Sequence, residues 1–221
     1  MCAKANHMIT ITPKRRILIV WLLENLGKEI SVLQATKEAR ALNYHATYTA
    51  FKDLAAAGYV RKKKSGHYQV VNAPALIRQI AYASPFRQKL VVGFFLGDNM
   101  IARMRKLSSL DESIVFTLFA AAELLSPYVR TASVHAYVPL TSIQTWEERL
   151  LKAGARRAQI GEADTFLLPT GDDSVFRFSN KRGEFRIVPM ALLLADLESS
   201  GGLAQEQAGR IMKEWLSSSK S

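Results

Sequence analysis

Residues 43–71 read NYHATYTAFKDLAAAGYVRKKKSGHYQVV, and this stretch sets the architecture of the first half of the chain. Asn43 is a good N-cap, because its side-chain oxygen can accept an unpaired N–H in the first turn of a helix. That helix is predicted over 44–57 and is closed by Gly58. Within it Thr47, Ala50, Phe51 and Leu54 fall at i, i+3, i+4 and i+7, a single inward stripe. The opposite face carries His45, Tyr48, Thr49 and Lys52, with Tyr44 at its start. These are donors, acceptors and one cation, the groups that read base edges and phosphates in a major groove. Two short strands, 59–63 and 67–71, flank Ser65-Gly66, which reads as a hairpin turn.

Upstream, Thr12-Pro13 opens a helix over 14–26 that Gly27 stops. Ser31 and Gln34 have capping-box spacing and start a second, short helix ending near Arg40. Three helices followed by a hairpin are the winged version of helix-turn-helix, expected over 10–73. The hairpin carries Arg61, Lys62, Lys63 and Lys64 in succession, then His67. Four adjacent cations repel one another, so a phosphate backbone explains them better than stability does. Lys14, Arg15 and Arg16 add charge at the first helix, and all these residues form the candidate DNA-binding set. The first helix also has a second apolar patch, Ile17, Val20 and Trp21, away from its core stripe of Leu18, Ile19, Leu22, Leu23 and Leu26. A helix apolar on two faces is buried on two faces. The patch is expected to pack on the second half of the chain or on a partner subunit.

Charge divides the chain in the same place. Residues 1–90 hold 15 basic and four acidic side chains, which is the whole formal charge of +11, and residues 91–221 hold 15 of each. A basic module joined to a neutral one points to double-stranded DNA as one partner and a protein as the other. Apolar residues are 48% of the 221, enough for a real core. The longest apolar runs, 17–23 and 90–96, fall far short of the roughly 20 residues that span a bilayer. No apolar signal core follows Lys4, and the lone Cys2 excludes an intramolecular disulfide or a thiol cluster for zinc. A cytoplasmic protein without a membrane partner is expected.

The second half reads as mixed α and β. A connecting helix is predicted over 74–82, with a linker to residue 87, and the second domain over 88–217. Helices are predicted at 111–125, at 141–153 with a Thr141–Gln144 capping box, at 189–198 and at 203–216. Strands are predicted at 90–96, 133–138, 155–160, 164–168, 175–178 and 184–188, whereas residues 103–110 carry no motif. This order gives an α+β class. Catalytic signals are weak. Glu162, Asp164, Asp172 and Asp173 could pair around a metal, but they sit among turn residues and read as loop solubility. Glu184-Phe-Arg186 has an arginine where a nuclease would want a lysine. His7, His45, His67 and His135 are scattered, and no glycine-rich loop leads into a lysine. No enzyme, metal or cofactor is expected.

Four segments together resemble a known family: Pro74-Ala-Leu-Ile-Arg-Gln-Ile-Ala-Tyr82; Leu124-Leu-Ser-Pro-Tyr-Val129; the strand at 133–138; and Val188-Pro-Met-Ala-Leu-Leu-Leu-Ala-Asp196-Leu-Glu-Ser-Ser-Gly-Gly202. In order and spacing, over residues 12–217, they are similar to the AbiEi-type antitoxins of type IV toxin–antitoxin (abortive infection) systems. The resemblance implies a winged-helix transcriptional autorepressor that counters a nucleotidyltransferase toxin and has no catalytic residues. The alternatives are a winged-helix regulator or plasmid-maintenance adaptor, binding DNA or RNA, whose second domain recruits protein, and a DNA-targeted metal-dependent nuclease.

Overall fold

A computed structural model describes residues 9–129 and 131–218; Cys2, Lys4, His7 and the end of the serine-rich tail lie outside them. Each early helix forms where a short polar side chain meets an apolar stripe. Helix α1 (Pro13–Glu24) is capped by Thr12, α2 (Val32–Ala39) by Ser31 and α3 (Tyr44–Ala56) by Asn43, each accepting an N–H from its first turn. Strands β1 (Val60–Lys62) and β2 (Tyr68–Val70) pair antiparallel with Arg61 opposite Gln69, and Gly66 takes φ +81 in the turn between them. Ile30 adds a bridge that no sequence signal announces, exchanging two 2.8 Å backbone hydrogen bonds with Tyr68. A single residue between helices has no periodicity to read. Phe51 of α3 meets the Tyr68 ring at 4.6 Å between centroids, which seats the hairpin on the helices.

Helix α4 (Ala73–Ala83), capped by Asn72, leads into the second half. There β3 (Val92–Phe95), β4 (Val115–Thr117), β5 (Val134–Pro139), β6 (Arg156–Arg157), β7 (Thr165–Thr170), β8 (Asn180–Arg182) and β9 (Phe185–Ile187) form a mixed sheet of order β6-β3-β7-β5-β4-β9-β8. Strands β5 and β7 run parallel, as do β4 and β9, and the other neighbours are antiparallel. Helices α5 (Met100–Leu110), α6 (Leu118–Glu123), α7 (Ile143–Lys152), α8 (Asp173–Arg177), α9 (Met190–Ser200) and α10 (Leu203–Ser218) complete an α+β protein. Helix α9 is buried at seven consecutive positions, Ala191 to Leu197, and packs against α1, α4, α6 and α10. Burial on all sides makes it the axis of the molecule. Among the described residues no helix is long and apolar enough to cross a membrane.

Several second-half expectations are corrected. The helix expected at 111–125 is a turn, then β4, then α6; Val115, Phe116 and Thr117 are all buried between β5 and β9. A strand covered on both faces shows no polar–apolar alternation to separate it from a buried helix. The strand expected at 175–178 is the short helix α8, started by Asp172, whose Oδ1 accepts the Ser174 N–H at 3.0 Å. Of 155–160 only Arg156 and Arg157 pair in the sheet. Residues 103–110, which carry no motif, belong to the helix Met100–Leu110, which Asn99 caps by accepting the Ala102 N–H. Thr141 makes no capping bond: a 3₁₀ turn over Leu140–Ser142 precedes α7. Strand β8 has no counterpart among the sequence expectations, because it is exposed along its length and no apolar position marks it.

Candidate nucleic-acid interface

The predicted face of α3 is open. Tyr44 is 56% exposed and Tyr48 38%, and His45, Thr49 and Lys52 are exposed beside them, while Thr47, Ala50, Phe51 and Leu54 face the core. The Thr49 hydroxyl donates to the His45 carbonyl at 3.1 Å, which fixes its rotamer and leaves its lone pairs outward. Lys52 Nζ lies 5.8 Å from the Tyr48 ring centroid, so the cation rests along the helix beside the ring.

The hairpin presents its cations unequally. Arg61, Lys62 and Lys64 are exposed, and among the described residues none has a carboxylate within ion-pair distance. Lys63 is half-buried, with Nζ 3.7 Å from Glu29, and its N–H donates to the His67 carbonyl at 2.8 Å to close the tip. His67 is half-buried too, and its Nδ1 is enclosed without a hydrogen-bond partner. Lys63 and His67 therefore shape the tip more than they present charge.

At α1 the three adjacent cations part ways. Lys14 is exposed, and Arg15 is half-buried in an ion pair with Asp53 of α3. Arg16 is buried, its Nε 2.6 Å from Asp172. Arg16 leaves the candidate interface, because residue 16 faces the second half and its charge is matched there. Ile17 is half-buried, Val20 fully buried and Trp21 only 5% exposed, on the side of α1 that meets α4, α8 and α9. The second apolar patch is thus covered inside the chain.

The second half contains a buried polar cluster that no spacing reveals, since its members are far apart in sequence. Asp196 of α9 pairs with Lys89 and accepts the hydroxyls of Thr117 and Tyr137, each at 2.8 Å. Burial, and then the Asp196 charge, push the Tyr137 hydroxyl well above its ordinary range, so it stays a neutral donor. His135 lies between Phe166, stacked at 4.7 Å, and the edge of Phe86 at 5.8 Å. Burial holds its imidazole down at about 4, against a weaker upward pull from Asp196.

The four loop carboxylates go to separate basic partners. Glu162 lies 3.6 Å from Arg156, Asp164 3.2 Å from the buried Arg103, and Asp173 4.0 Å from Arg177, while Asp172 holds Arg16. Asp164 also accepts the N–H groups of Leu96 and Gly97 at 3.1 and 2.9 Å, which ties the β3 turn to β7. Among the described residues no three His, Cys, Asp or Glu side chains come together in a way that could hold a metal. Comparison with known proteins finds no matching family model, no matching curated protein and no matching solved structure.

Proposed function

We propose that this protein binds double-stranded DNA through α3 and the β1–β2 hairpin and acts as a transcriptional autorepressor. On the AbiEi-type resemblance, it is also the antitoxin of a type IV system, countering a nucleotidyltransferase toxin through its second half. The observation that carries the DNA reading is one pairing of surfaces. Helix α3, whose open face carries the donors and acceptors of His45, Tyr48 and Thr49, packs against β1 of a hairpin whose Arg61, Lys62 and Lys64 lack acidic partners among the described residues. The first can discriminate bases and the second can neutralise phosphates. Gel-shift titration over a series of salt concentrations tests it. Lys62→Ala with Lys64→Ala should weaken binding to every sequence and make the log-log salt dependence shallower by nearly two, at about 0.9 for each phosphate left unneutralised. Thr49→Ala should instead erode preference among sequences by about 1–3 kcal/mol. Unchanged binding and slope in the double variant would remove the hairpin from the interface. The antitoxin role is tested by co-expression with a nucleotidyltransferase encoded beside it: relief of growth arrest supports that role.

A further inference from the structure

We propose that the β8–β9 hairpin of the second half is an additional DNA-contacting arm, gripping the phosphate backbone beside the winged-helix site; this rests on the DNA-binding reading above. The neutrality of residues 91–221 hides a local surplus of cations at one edge of the sheet. Strand β8 is the outermost strand on that side, exposed at Asn180, Lys181 and Arg182, and turns into β9 through Gly183 at φ +59. Lys181 stands directly opposite Arg186 in the register, a like-charged cross-strand pair that disfavours the hairpin in isolation. Arg186 does not relieve it with an acid. Its donors go to the carbonyls of Glu112 and Phe176 and to the Ser179 hydroxyl, so its charge stays. Among the described residues neither Lys181 nor Arg182 has an ion-pair partner, while the nearby Glu184 is taken by Arg105 at 2.8 Å.

Two contacts set this edge against the winged helix. Asn180 donates to Glu24 of α1 at 3.4 Å, and Arg177 donates to the Glu38 carbonyl of α2 at 3.1 Å. Exposed Lys37 and Arg40 lie on either side of Glu38, and Arg40 is the C-terminal cap of α2, ahead of the Asn43 cap of α3. Acids are present here too: Asp173 lies 4.0 Å from Arg177, and the Glu38 side chain is exposed. Glu24, Glu112 and Glu184 bring the acids here to five, against the seven cations Lys37, Arg40, Arg105, Arg177, Lys181, Arg182 and Arg186. The arm requires a backbone lying along α3 to continue past the C-terminal ends of α1 and α2, where Glu24 and Glu38 meet this edge, and displaced counterions would reward each contact. The exposed, charged edge is also poorly suited to pairing with another strand.

The test is binding of the full chain to a mixed-sequence duplex of about 40 base pairs at several salt concentrations. The variants are Lys181→Ala with Arg182→Ala; the hairpin pair Lys62→Ala with Lys64→Ala; and Arg156→Ala with Arg157→Ala on β6, at the opposite edge of the same sheet. The arm predicts that the Lys181/Arg182 variant shows a slope shallower by nearly two log-log units. Wild type would then lose about tenfold more affinity than this variant between roughly 50 and 200 mM salt, while the β6 variant follows wild type. If only the Lys62/Lys64 variant changes, the arm is wrong and the winged-helix site stands. If the β6 and β8 variants change equally, net charge accounts for the effect and the arm is overturned. If wild type does not bind duplex at all, the DNA reading falls and takes the arm with it.

Discussion

Among single residues, neighbours of one type have different fates. Lys14, Arg15 and Arg16 are consecutive, yet they are respectively exposed, paired to α3 and buried on Asp172. Lys63 is drawn to Glu29 while Lys62 and Lys64 remain open. The sequence identifies a cationic run, but direction around a helix and distance to a remote acid select its members. His135 makes a prediction here. Its folded value of about 4 lies below the ordinary 6.5, so on acidification the unfolded chain takes the proton first. Its contribution is complete above pH 6.5 and is lost as the pH falls toward 4, a change of about 3 kcal/mol. Replacing it with an apolar ring, His135→Phe, should flatten the loss of stability between those pH values in urea unfolding. A variant that loses stability as steeply as wild type would show that other groups set the acid limit.

Among the elements, local rules are legible where the signal is local. Asn43, Ser31 and Thr12 each cap the helix they precede, and Gly66 makes the hairpin turn. Helix α9 shows the opposite case. It begins after Pro189 and has no side-chain cap of its own; its Ala191 N–H instead donates to Glu24 of α1 at 3.2 Å. Burial raises the Glu24 carboxyl above its ordinary value, although the bonds from Ala191, Asn180 and Met190 pull the other way. A cap supplied from 167 residues away has no sequence signature. Glu24→Ala should cost about 1–2 kcal/mol by leaving the N–H unsatisfied. Glu24→Gln, which keeps an acceptor without burying a charge, should cost less. Chemical denaturation of both variants at pH 7 checks the order, and equal costs would refute the capping role. Strand β4 and helix α8 depart from the sequence expectation for related reasons: one is buried along its whole length, and the other has only five residues.

Across the whole molecule, the two halves that differ in charge share one continuous core, from Leu18 and Trp21 in α1 to Ile211 in α10. Arg16–Asp172, Glu24–Ala191 and Arg87 on the Ser200 carbonyl fasten them across that core. The intact chain should therefore unfold in a single calorimetric transition. A fragment of residues 10–90, which bares Val20 and Trp21, should lose cooperative melting; a fragment melting at the full-length midpoint would show the first half to be self-sufficient. Three capped helices and a hairpin are dictated by the chain alone, because caps, a helical stripe and a turn act between residues a few positions apart. The charge bias that points to a polyanion is equally a property of the chain, since composition survives folding. Which cations face solvent, where the sheet runs and what covers Trp21 are settled only by the packed molecule. Packing also brings Arg177 and Asn180, which precede Lys181 and Arg182 in the neutral half, against α1 and α2. Those outcomes depend on partners far away along the chain, and burial and charge pairing between distant segments leave no periodicity in it.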